Sequence, residues 1–261
     1  IDSREHYDQA MAKGGMVDGI QRAISDKLVG HTGFTTHDSV ENLLTYVEEA
    51  DWCEVILFTY NLLNPLYEKA IAAAHARGIG TLVMNPLAGG LLGHDSPMLR
   101  RLAAQAGAGS IPELAVRFLI SNPAVTTLVT GIAKRSDVDD TVAAVNRGPF
   151  APAEMARLRE GLAELLAANR AFCTGCRYCL PCCRGIDIPA IMNQIAQYRF
   201  WGLQKPARDG YRNLKGPRAD ACIQCGQCEA KCTQHLPVMD ELNYAVRNLA
   251  AGGGQDPASP T

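Results

Sequence analysis

Two cysteine-rich stretches, CTGCRYCLPCC at residues 173–183 and CIQCGQCEAKC at residues 222–232, hold nine of the ten cysteines of this 261-residue chain. In each stretch three cysteines follow one another at intervals of three positions, and a fourth comes shortly after them. This spacing directs several thiolates into one small volume and is typical of loops that bind a cubane iron–sulfur cluster. The sequence therefore predicts a metal-binding region in the last third of the chain.

Zinc and disulfides explain the same cysteines less well. A structural zinc site uses four ligands, usually as two pairs separated by a longer loop, so the third evenly spaced cysteine would have no role. Cysteines on one tight turn are poorly placed to pair as disulfides. Reduced thiolates are therefore expected, which indicates the cytoplasm. We expect two 4Fe-4S clusters, with the fourth ligand of each motif exchanged between them.

The spacing leaves one ligand of the first motif open. Seven cysteines have unambiguous positions in the two motifs: Cys173, Cys176, Cys179, Cys222, Cys225, Cys228 and Cys232. For the eighth, a gap of three residues selects Cys183, whereas the Pro-Cys pair that precedes it offers Cys182. In the second motif, Cys232 is followed by threonine where proline is usual.

Charge and hydropathy exclude other classes of function. The formal net charge is −2, so no global basic field indicates nucleic-acid binding. The chain contains no run of about eighteen apolar residues, so the sequence predicts no membrane-spanning helix. Residues 171–250 contain ten Lys or Arg against six Asp or Glu, an excess that would offset the negative charge of two clusters.

Residues 1–150 repeat one unit, a short apolar strand followed by an amphipathic helix. The strands are predicted at Lys27–Thr36, Glu54–Tyr60, Thr81–Met84 and Thr126–Thr130. Helices are predicted from Asp38 as N-cap, from Asn64 to Arg77, near Pro97–Ala106, after Ser110, and from Ser136. Such alternation gives a parallel sheet. A closed barrel needs eight strands, so four strands are compatible with either a small open sheet or half of a barrel.

The remaining segments define the predicted domains. A helix over Ala153–Arg170 connects the α/β part, residues 1–170, to the cysteine domain, residues 171–250. Within that domain we expect a helix over Ile188–Trp201, an irregular connection over 203–221, and a closing helix over Asp240–Leu249. Residues 251–261 are rich in Gly, Pro and Ser and are expected to be disordered.

A few other residues are candidates for chemistry. Gly-rich turns at residues 85–90 and at Gly131 follow predicted strands. Parallel α/β sheets bind ligands at the carboxyl ends of their strands, so both turns are candidate ligand sites. A purely structural role explains these glycines more simply. His37 and the adjacent Asp38 could form a catalytic pair, but a role as helix cap explains Asp38 equally well. Cys53 is interpreted as a small buried apolar residue.

Four segments resemble successive strand ends of the aldo-keto reductases: LVGHTGFTTH (28–37), FTYNLL (58–63), VMNPLAGGLL (83–92) and LVTG (128–131). This family consists of eight-stranded α/β barrels that reduce carbonyls with NADPH. The resemblance covers residues 1 to about 170 and implies the C-terminal half of a (β/α)8 TIM barrel, strands five to eight. A mostly α-helical, ferredoxin-like iron–sulfur domain would follow it.

The cysteine region is similar to the tail of an aldo-keto reductase branch that carries C-terminal 4Fe-4S motifs. In that branch the first motif commonly ends Cys-x-Pro-Cys-Pro, which favours Cys182 as the ligand and places Cys183 where proline would stand. The family's catalytic Asp, Tyr, Lys and His would precede Ile1. The resemblance therefore assigns no catalytic residue here and leads us to expect part of a longer protein.

The same resemblance implies a partial nucleotide site. Thr35 and Thr36 would meet the nicotinamide carboxamide. The pyrophosphate would lie near residues of two turns: Leu87, Ala88, Gly89, Gly131, Ala133 and Lys134. Asp137 stands where a basic or amide residue is frequent and would repel a 2′-phosphate, so NADP and NAD both stay open.

Three hypotheses follow. The first is an iron–sulfur oxidoreductase of aldo-keto reductase type, with a small-molecule carbonyl substrate, a redox partner protein, and neither nucleic acid nor membrane as a partner. The second is a non-catalytic, ferredoxin-like electron carrier or cluster-bearing interaction module. An Asp, Tyr, Lys and His set encoded ahead of Ile1 would support the first. The third is that the clusters serve only as structural staples, which predicts no redox activity and loss of the fold on chelation.

Overall fold

The computed structural model describes residues 1–168, 173, 177–232 and 236–250. It contains two compact units, and each is made of two chain segments. The first unit is Ile1–Gly93 with Ala106–Met155, and the second is His94–Gln105 with Ala156–Thr261. The predicted domain limits at residues 170 and 250 follow the continuous sequence and stay a prediction, and the predicted tail, 251–261, lies outside the described residues.

A parallel sheet of four strands forms the centre of the first unit. The strands are β1 (Gly33–Thr36), β2 (Val55–Thr59), β3 (Gly80–Met84) and β4 (Thr127–Leu128), and they lie side by side in that order. All three pairings are parallel, with Thr35 opposite Leu57 and Leu57 opposite Leu82. The α/β class with a parallel sheet is confirmed.

Three strands are shorter than the sequence predicted, and β2 loses only one residue at each end. Strand β1 begins at Gly33 rather than Lys27, because Lys27 has a φ of +59° and leaves Leu28 and Val29 exposed ahead of the strand. A left-handed residue interrupts extended backbone, so hydrophobic side chains alone did not define the strand. Strand β4 keeps only two of its five predicted residues.

Six helices belong to the first unit: α1 (Arg4–Met11), α2 (Met16–Ser25), α3 (Val40–Glu49), α4 (Glu68–Ala76), α6 (Ile111–Ile120) and α7 (Arg135–Asn146). The sequence did not predict α1 and α2. The N-cap of α3 is Ser39, whose hydroxyl accepts the N–H of Asn42, so the prediction of Asp38 as the cap was wrong by one residue. Ser110 caps α6 as predicted.

The two faces of the sheet differ in burial. Phe34, Ile56, Phe58 and Val83 point to one face, are at most 7% exposed, and belong to one apolar core. The alternate residues, which side-chain geometry directs to the other face, are half-buried along β2 and β3, and Thr35 is exposed.

Arg117 on α6 is a buried charge that links three segments of the first unit. It is 4% exposed, donates to the carbonyl of Gly148, and pairs with Glu113 and with Glu154, where the N–O distance is 3.0 Å. Its guanidinium also lies 4.1 Å from the ring centroid of Phe150. The side chain thereby satisfies two carboxylates and a turn carbonyl at once.

The second unit is helical in its described residues. Its helices are α5 (Pro97–Gln105), most of α8 (Pro152–Ala168), α9 (Ile188–Arg199), α10 (Gln204–Arg212), α11 (Gln227–Ala230) and α12 (Val238–Ala245). Buried apolar residues of α9, α10 and α12 form its core. No helix in the described ranges is long and apolar enough to cross a membrane.

Helix α10 corrects the prediction of an irregular connection over residues 203–221. Pro206 occupies the first turn of α10, where its missing N–H has no consequence. Gly210 allows the Gln194 side chain of α9 to lie against α10 where a Cβ atom would collide with it. Pro206 and Gly210 therefore do not interrupt the helix: Pro206 lies in its first turn, and Gly210 allows another helix to pack closely against it.

Candidate metal centre

Thiols from both cysteine motifs line one pocket in the second unit. Cys179, Cys182 and Cys183 come from the first motif, and Cys222, Cys225 and Cys228 come from the second. Cys173 and Cys232 are half-buried against the same apolar core. Cys176 lies outside the described residues. The structure therefore brings together six thiols that are far apart in sequence.

Each motif has a left-handed residue directly after its second cysteine. Arg177 has a φ of +65° and Gly226 has a φ of +74°, and each directly follows the second cysteine of its motif. A left-handed residue reverses the chain sharply and suits glycine better than arginine. In the second motif, α11 begins immediately afterwards and carries Cys228.

Backbone N–H groups point at several of the sulfurs. The N–H groups of Arg184, Gln224 and Leu236 donate to the Sγ atoms of Cys182, Cys222 and Cys232 at 3.4, 3.4 and 3.5 Å. Such donors stabilise thiolate charge, and hydrogen bonds to sulfur also tune the potential of a cluster. The apolar side chains of Ile188, Met239 and Leu242 also line the pocket, together with the polar side chains of Arg184 and Gln227.

The donor set consists of thiols, which are ligands of both zinc ions and iron–sulfur clusters. Among the described residues, no group of three Cys, His, Asp or Glu side chains is arranged around one point as a single ion requires. Zinc holds its ligands within about 2.0–2.3 Å of one centre, whereas a cubane distributes four thiolates over four iron atoms.

The eighth ligand stays open between two neighbouring cysteines, because both line the pocket. The Sγ atoms of Cys183 and Cys225 are 3.6 Å apart, and both residues are exposed. The N–H of Gln227 and the thiol of Cys183 lower the pKa of Cys225. Cys182 is half-buried and packs against the helical core.

Residues predicted to meet a nucleotide lie in the first unit. Thr36 is fully buried and its hydroxyl accepts the N–H of Asp38, whereas Thr35 is exposed. Ala88 and Gly89 both have positive φ in a short helical turn over Ala88–Gly93. These positions do not test the predicted contacts, which stay a prediction.

The turn that follows β4 already holds an anion, and that anion belongs to the chain itself. The carboxylate of Asp137 accepts the N–H groups of Ala133 and Lys134, both at 3.0 Å. These two hydrogen bonds lower the pKa of Asp137. The amides predicted to hold a pyrophosphate are therefore satisfied by a side chain in this structure.

Asp38 follows β1 and is the centre of a hydrogen-bond network. Its carboxylate accepts from the hydroxyl of Tyr46 at 2.5 Å, from the Ser39 N–H at 2.7 Å and from the Asn42 amide. Its backbone carbonyl accepts the hydroxyl of Tyr67. Burial opposes ionisation, but the hydrogen bonds hold the pKa of Asp38 below its ordinary value. These hydrogen bonds give Asp38 a structural role that does not involve the neighbouring His37.

Tyr46→Phe should lower the stability of the first unit by about 1 kcal/mol at neutral pH, because Asp38 loses a strong donor. A carboxylate with a lowered folded-state pKa stabilises above its unfolded pKa and loses that contribution as pH falls through the folded pKa. The deficit of the variant should therefore shrink below about pH 4. Urea unfolding at several pH values measures it.

Tyr67→Phe is the matched control for this prediction, since its hydroxyl meets the backbone carbonyl of Asp38 and not the carboxylate. Its deficit should stay constant with pH. Equal pH dependence in the two variants would contradict the assignment.

Two other candidates have simple structural roles. The Nδ1 atom of His31 lies 2.6 Å from the Glu54 carboxylate on an exposed surface. Cys53 is 6% exposed, its thiol donates to the Val55 carbonyl at 3.3 Å, and burial raises its pKa to about 11. Cys53 is thus an inert buried residue, as predicted.

Comparisons with known proteins match both parts of the chain. Residues 25–163 match the family model described as Aldo/keto reductase family, and residues 172–237 match the model of a 4Fe-4S dicluster domain. No curated protein sequence matches the chain.

Among solved structures, the aldo-keto reductase AKR11C1 from Bacillus halodurans is similar in its holo and apo forms. Each form has 18% sequence identity and a TM-score of 0.47, and the match covers 54% of this chain. It covers 53% of the holo chain and 54% of the apo chain. The chain spans about half the length of these solved structures.

Proposed function

The chain belongs to the aldo/keto reductase family and carries a 4Fe-4S dicluster domain, and from this premise we propose that it serves an NAD(P)-linked carbonyl or alcohol oxidoreductase whose clusters transfer electrons. The family model covers more than half of the chain, so an iron–sulfur oxidoreductase of this type is the coarse function. The reaction, the electron route and the cofactor are our proposals.

One observation carries the cluster proposal: three thiols from each motif line a single pocket. Cys222, Cys225 and Cys228 with one sulfur of the first motif would hold one cluster. Cys173, Cys176, Cys179 and Cys232 would hold the other. A bound cubane cluster accepts or donates one electron at a time. The N–H donors to the sulfurs would stabilise the thiolates.

The four strands would correspond to barrel strands five to eight. Their order, β1 to β4, and their uniform parallel direction support this assignment. The exposed hydroxyl of Thr35 would then meet the nicotinamide carboxamide, and Leu87–Gly89 and Gly131–Lys134 would lie near the pyrophosphate. The negative charge of Asp137 would repel the 2′-phosphate of NADP, so we propose a nicotinamide cofactor without choosing between NAD and NADP.

The alternative is a non-catalytic electron carrier or cluster-bearing interaction module. The Asp137 carboxylate on the amides of Ala133 and Lys134 favours it, as does the buried hydroxyl of Thr36. The two functions differ in one measurement. The oxidoreductase binds NADH or NADPH and exchanges electrons between nicotinamide and clusters in the presence of a carbonyl compound, whereas the carrier exchanges electrons only with a protein or chemical donor.

The protein reconstituted anaerobically with iron and sulfide should show broad visible absorbance that dithionite bleaches, because cubane clusters accept electrons. Iron and acid-labile sulfide should each reach about eight per chain for two clusters. Stoichiometric zinc without iron would refute the proposal.

The same assay decides the eighth ligand. With Cys182 as the ligand, Cys182→Ser should lose about half of the iron and Cys183→Ser should keep all of it. The reverse pattern would assign Cys183, whose Sγ lies beside that of Cys225.

A further inference from the structure

Two exposed apolar side chains of the second unit lie within the cysteine motifs. Among the residues that the structure describes in this unit, Tyr178 and Ile223 are the large apolar residues that are exposed, at 63% and 60%. Tyr178 directly precedes Cys179, and Ile223 directly follows Cys222 and lines the shared pocket. A single exposed apolar residue has no particular meaning, but both of these lie beside predicted cluster ligands. They make the surface around the pocket a candidate contact site.

Cysteine thiols reach the same surface. Cys183 and Cys225 are exposed, and their Sγ atoms lie 3.6 Å apart. Both line the pocket assigned above to the clusters. A cluster held by an exposed thiolate would have one edge at the protein surface. Another one-electron carrier would exchange electrons with the cluster at this edge, where the two redox centres approach each other most closely.

Three cationic side chains lie beside this surface. Arg184 lines the pocket. A Cβ atom on the following Gly185 would lie 3.7 Å from the ring of Pro217, so the two loops are adjacent. Lys215 and Arg218 flank that proline, and both are exposed. Within the described ranges none of the three cations forms an ion pair. We name Arg184, Lys215 and Arg218 the basic rim.

Few carboxylates offset the charge of the basic rim. The segments 177–187 and 213–231 contain five Lys or Arg against three Asp or Glu. Asp187 lies 3.8 Å from a basic residue outside the rim, and the Glu229 carboxylate accepts a backbone N–H. Asp220 is exposed and forms no ion pair with the rim in the described part of the chain. A surface with this balance of charge favours a negatively charged partner.

We propose that the basic rim, with Tyr178 and Ile223, is the docking surface for an acidic protein that carries one electron. Carboxylates of the partner would face the basic rim, and its apolar side chains would cover Tyr178 and Ile223. One electron would pass between the partner and the cluster, so that one centre is oxidised as the other is reduced and no bond changes. The proposal rests on the proposed function, because it requires the clusters.

Association of the reconstituted chain with an immobilised plant-type ferredoxin, an acidic one-electron carrier, tests the proposal by biolayer interferometry. Lys215→Glu combined with Arg218→Glu should lower the association rate constant at low salt about tenfold, because complementary charge raises such rates by about that factor or more. The difference should shrink at about 0.5 M sodium chloride, which screens exposed charges. The matched control is Lys205→Glu combined with Arg247→Glu. Both residues are exposed and lie outside the motif loops, so this variant should lose less than about threefold.

Ile223→Ser tests the apolar part of the surface. Since Ile223 is exposed in the free protein, the substitution should leave the fold intact. It should raise the dissociation rate constant about fivefold with little change in association, as is usual for a contact made only in the complex. An unchanged dissociation rate constant would overturn the proposal. So would equal losses in the two charge variants, or equal binding of a basic c-type cytochrome. Tighter binding of a single-stranded DNA oligonucleotide would assign the rim to nucleic acid and would also overturn it.

Visible absorbance and a redox titration of the same samples separate docking from two other outcomes. Rim variants that associate slowly but keep bleachable clusters of unchanged midpoint potential would support docking. Cations beside a cluster can also offset its negative charge. A shifted potential with an unchanged association rate constant would show that this is their only role and would overturn the proposal. A wild type that holds its clusters but does not bind the ferredoxin would overturn the docking surface alone, whereas a wild type without clusters would overturn the proposed function as well.

Discussion

Cys228→Ala is expected to remove about half of the iron from the reconstituted protein, from about eight atoms per chain to about four. Cys228 is 8% exposed, lies on α11 and lines the pocket that both motifs share. Alanine fits its space but supplies no thiolate, so one cluster loses a ligand that water cannot easily replace. Iron and sulfide analysis with electron paramagnetic resonance of the reduced protein measures the loss.

Cys53→Ala provides the control for this substitution. Cys53 is also buried, at 6% exposure, but belongs to the core of the first unit. The variant should retain all of its iron and sulfide. Equal iron content in the two variants would show that Cys228 is not a ligand.

Arg117→Met should reduce the free energy of unfolding of the first unit by about 3 kcal/mol, since it leaves two carboxylates near the interior without their partner. Glu113 and Glu154 are only 14% and 25% exposed, and the carbonyl of Gly148 loses its donor as well. Methionine preserves most of the volume, which separates the charge from packing. Fluorescence of Trp52 in a Trp201→Phe background follows urea unfolding of this unit alone, because the chain has two tryptophans, one in each unit.

Arg147→Met tests whether the loss of stability expected for Arg117→Met depends on the burial of the arginine side chain. Arg147 pairs with the same Glu113 at 2.9 Å, but its side chain is 52% exposed. A surface ion pair contributes about 0–1 kcal/mol, so this variant should unfold near the wild-type urea concentration. Similar losses in the two variants would contradict a special role for Arg117.

The sequence predicted best where one local pattern determines the structure. The apolar runs of β2 and β3 and the Ser110 cap of α6 are such patterns, and the structure confirms them. The spacing of the cysteines predicted a cluster domain for the same reason, because a short loop must present its thiolates together.

Features that depend on distant residues were missed. In helix α10, Gly210 leaves room for the side chain of Gln194 on another helix, and this close approach cannot be read from local propensity. The amides of Ala133 and Lys134 seemed available for a phosphate until the structure showed the Asp137 carboxylate on them. Likewise, Cys183 and Cys225 are 42 positions apart, and only the fold reveals that their sulfurs lie together.

The Asp137 carboxylate is a tethered competitor for any anion that approaches the turn after β4. It is held a few residues from the amides it occupies, so its competition with an anion is intramolecular and does not depend on protein concentration. Under the nucleotide contact proposed above, a phosphate would bind these amides only in chains whose Asp137 has moved away. The apparent affinity for that nucleotide would then be the intrinsic affinity reduced by the fraction of chains in the open state.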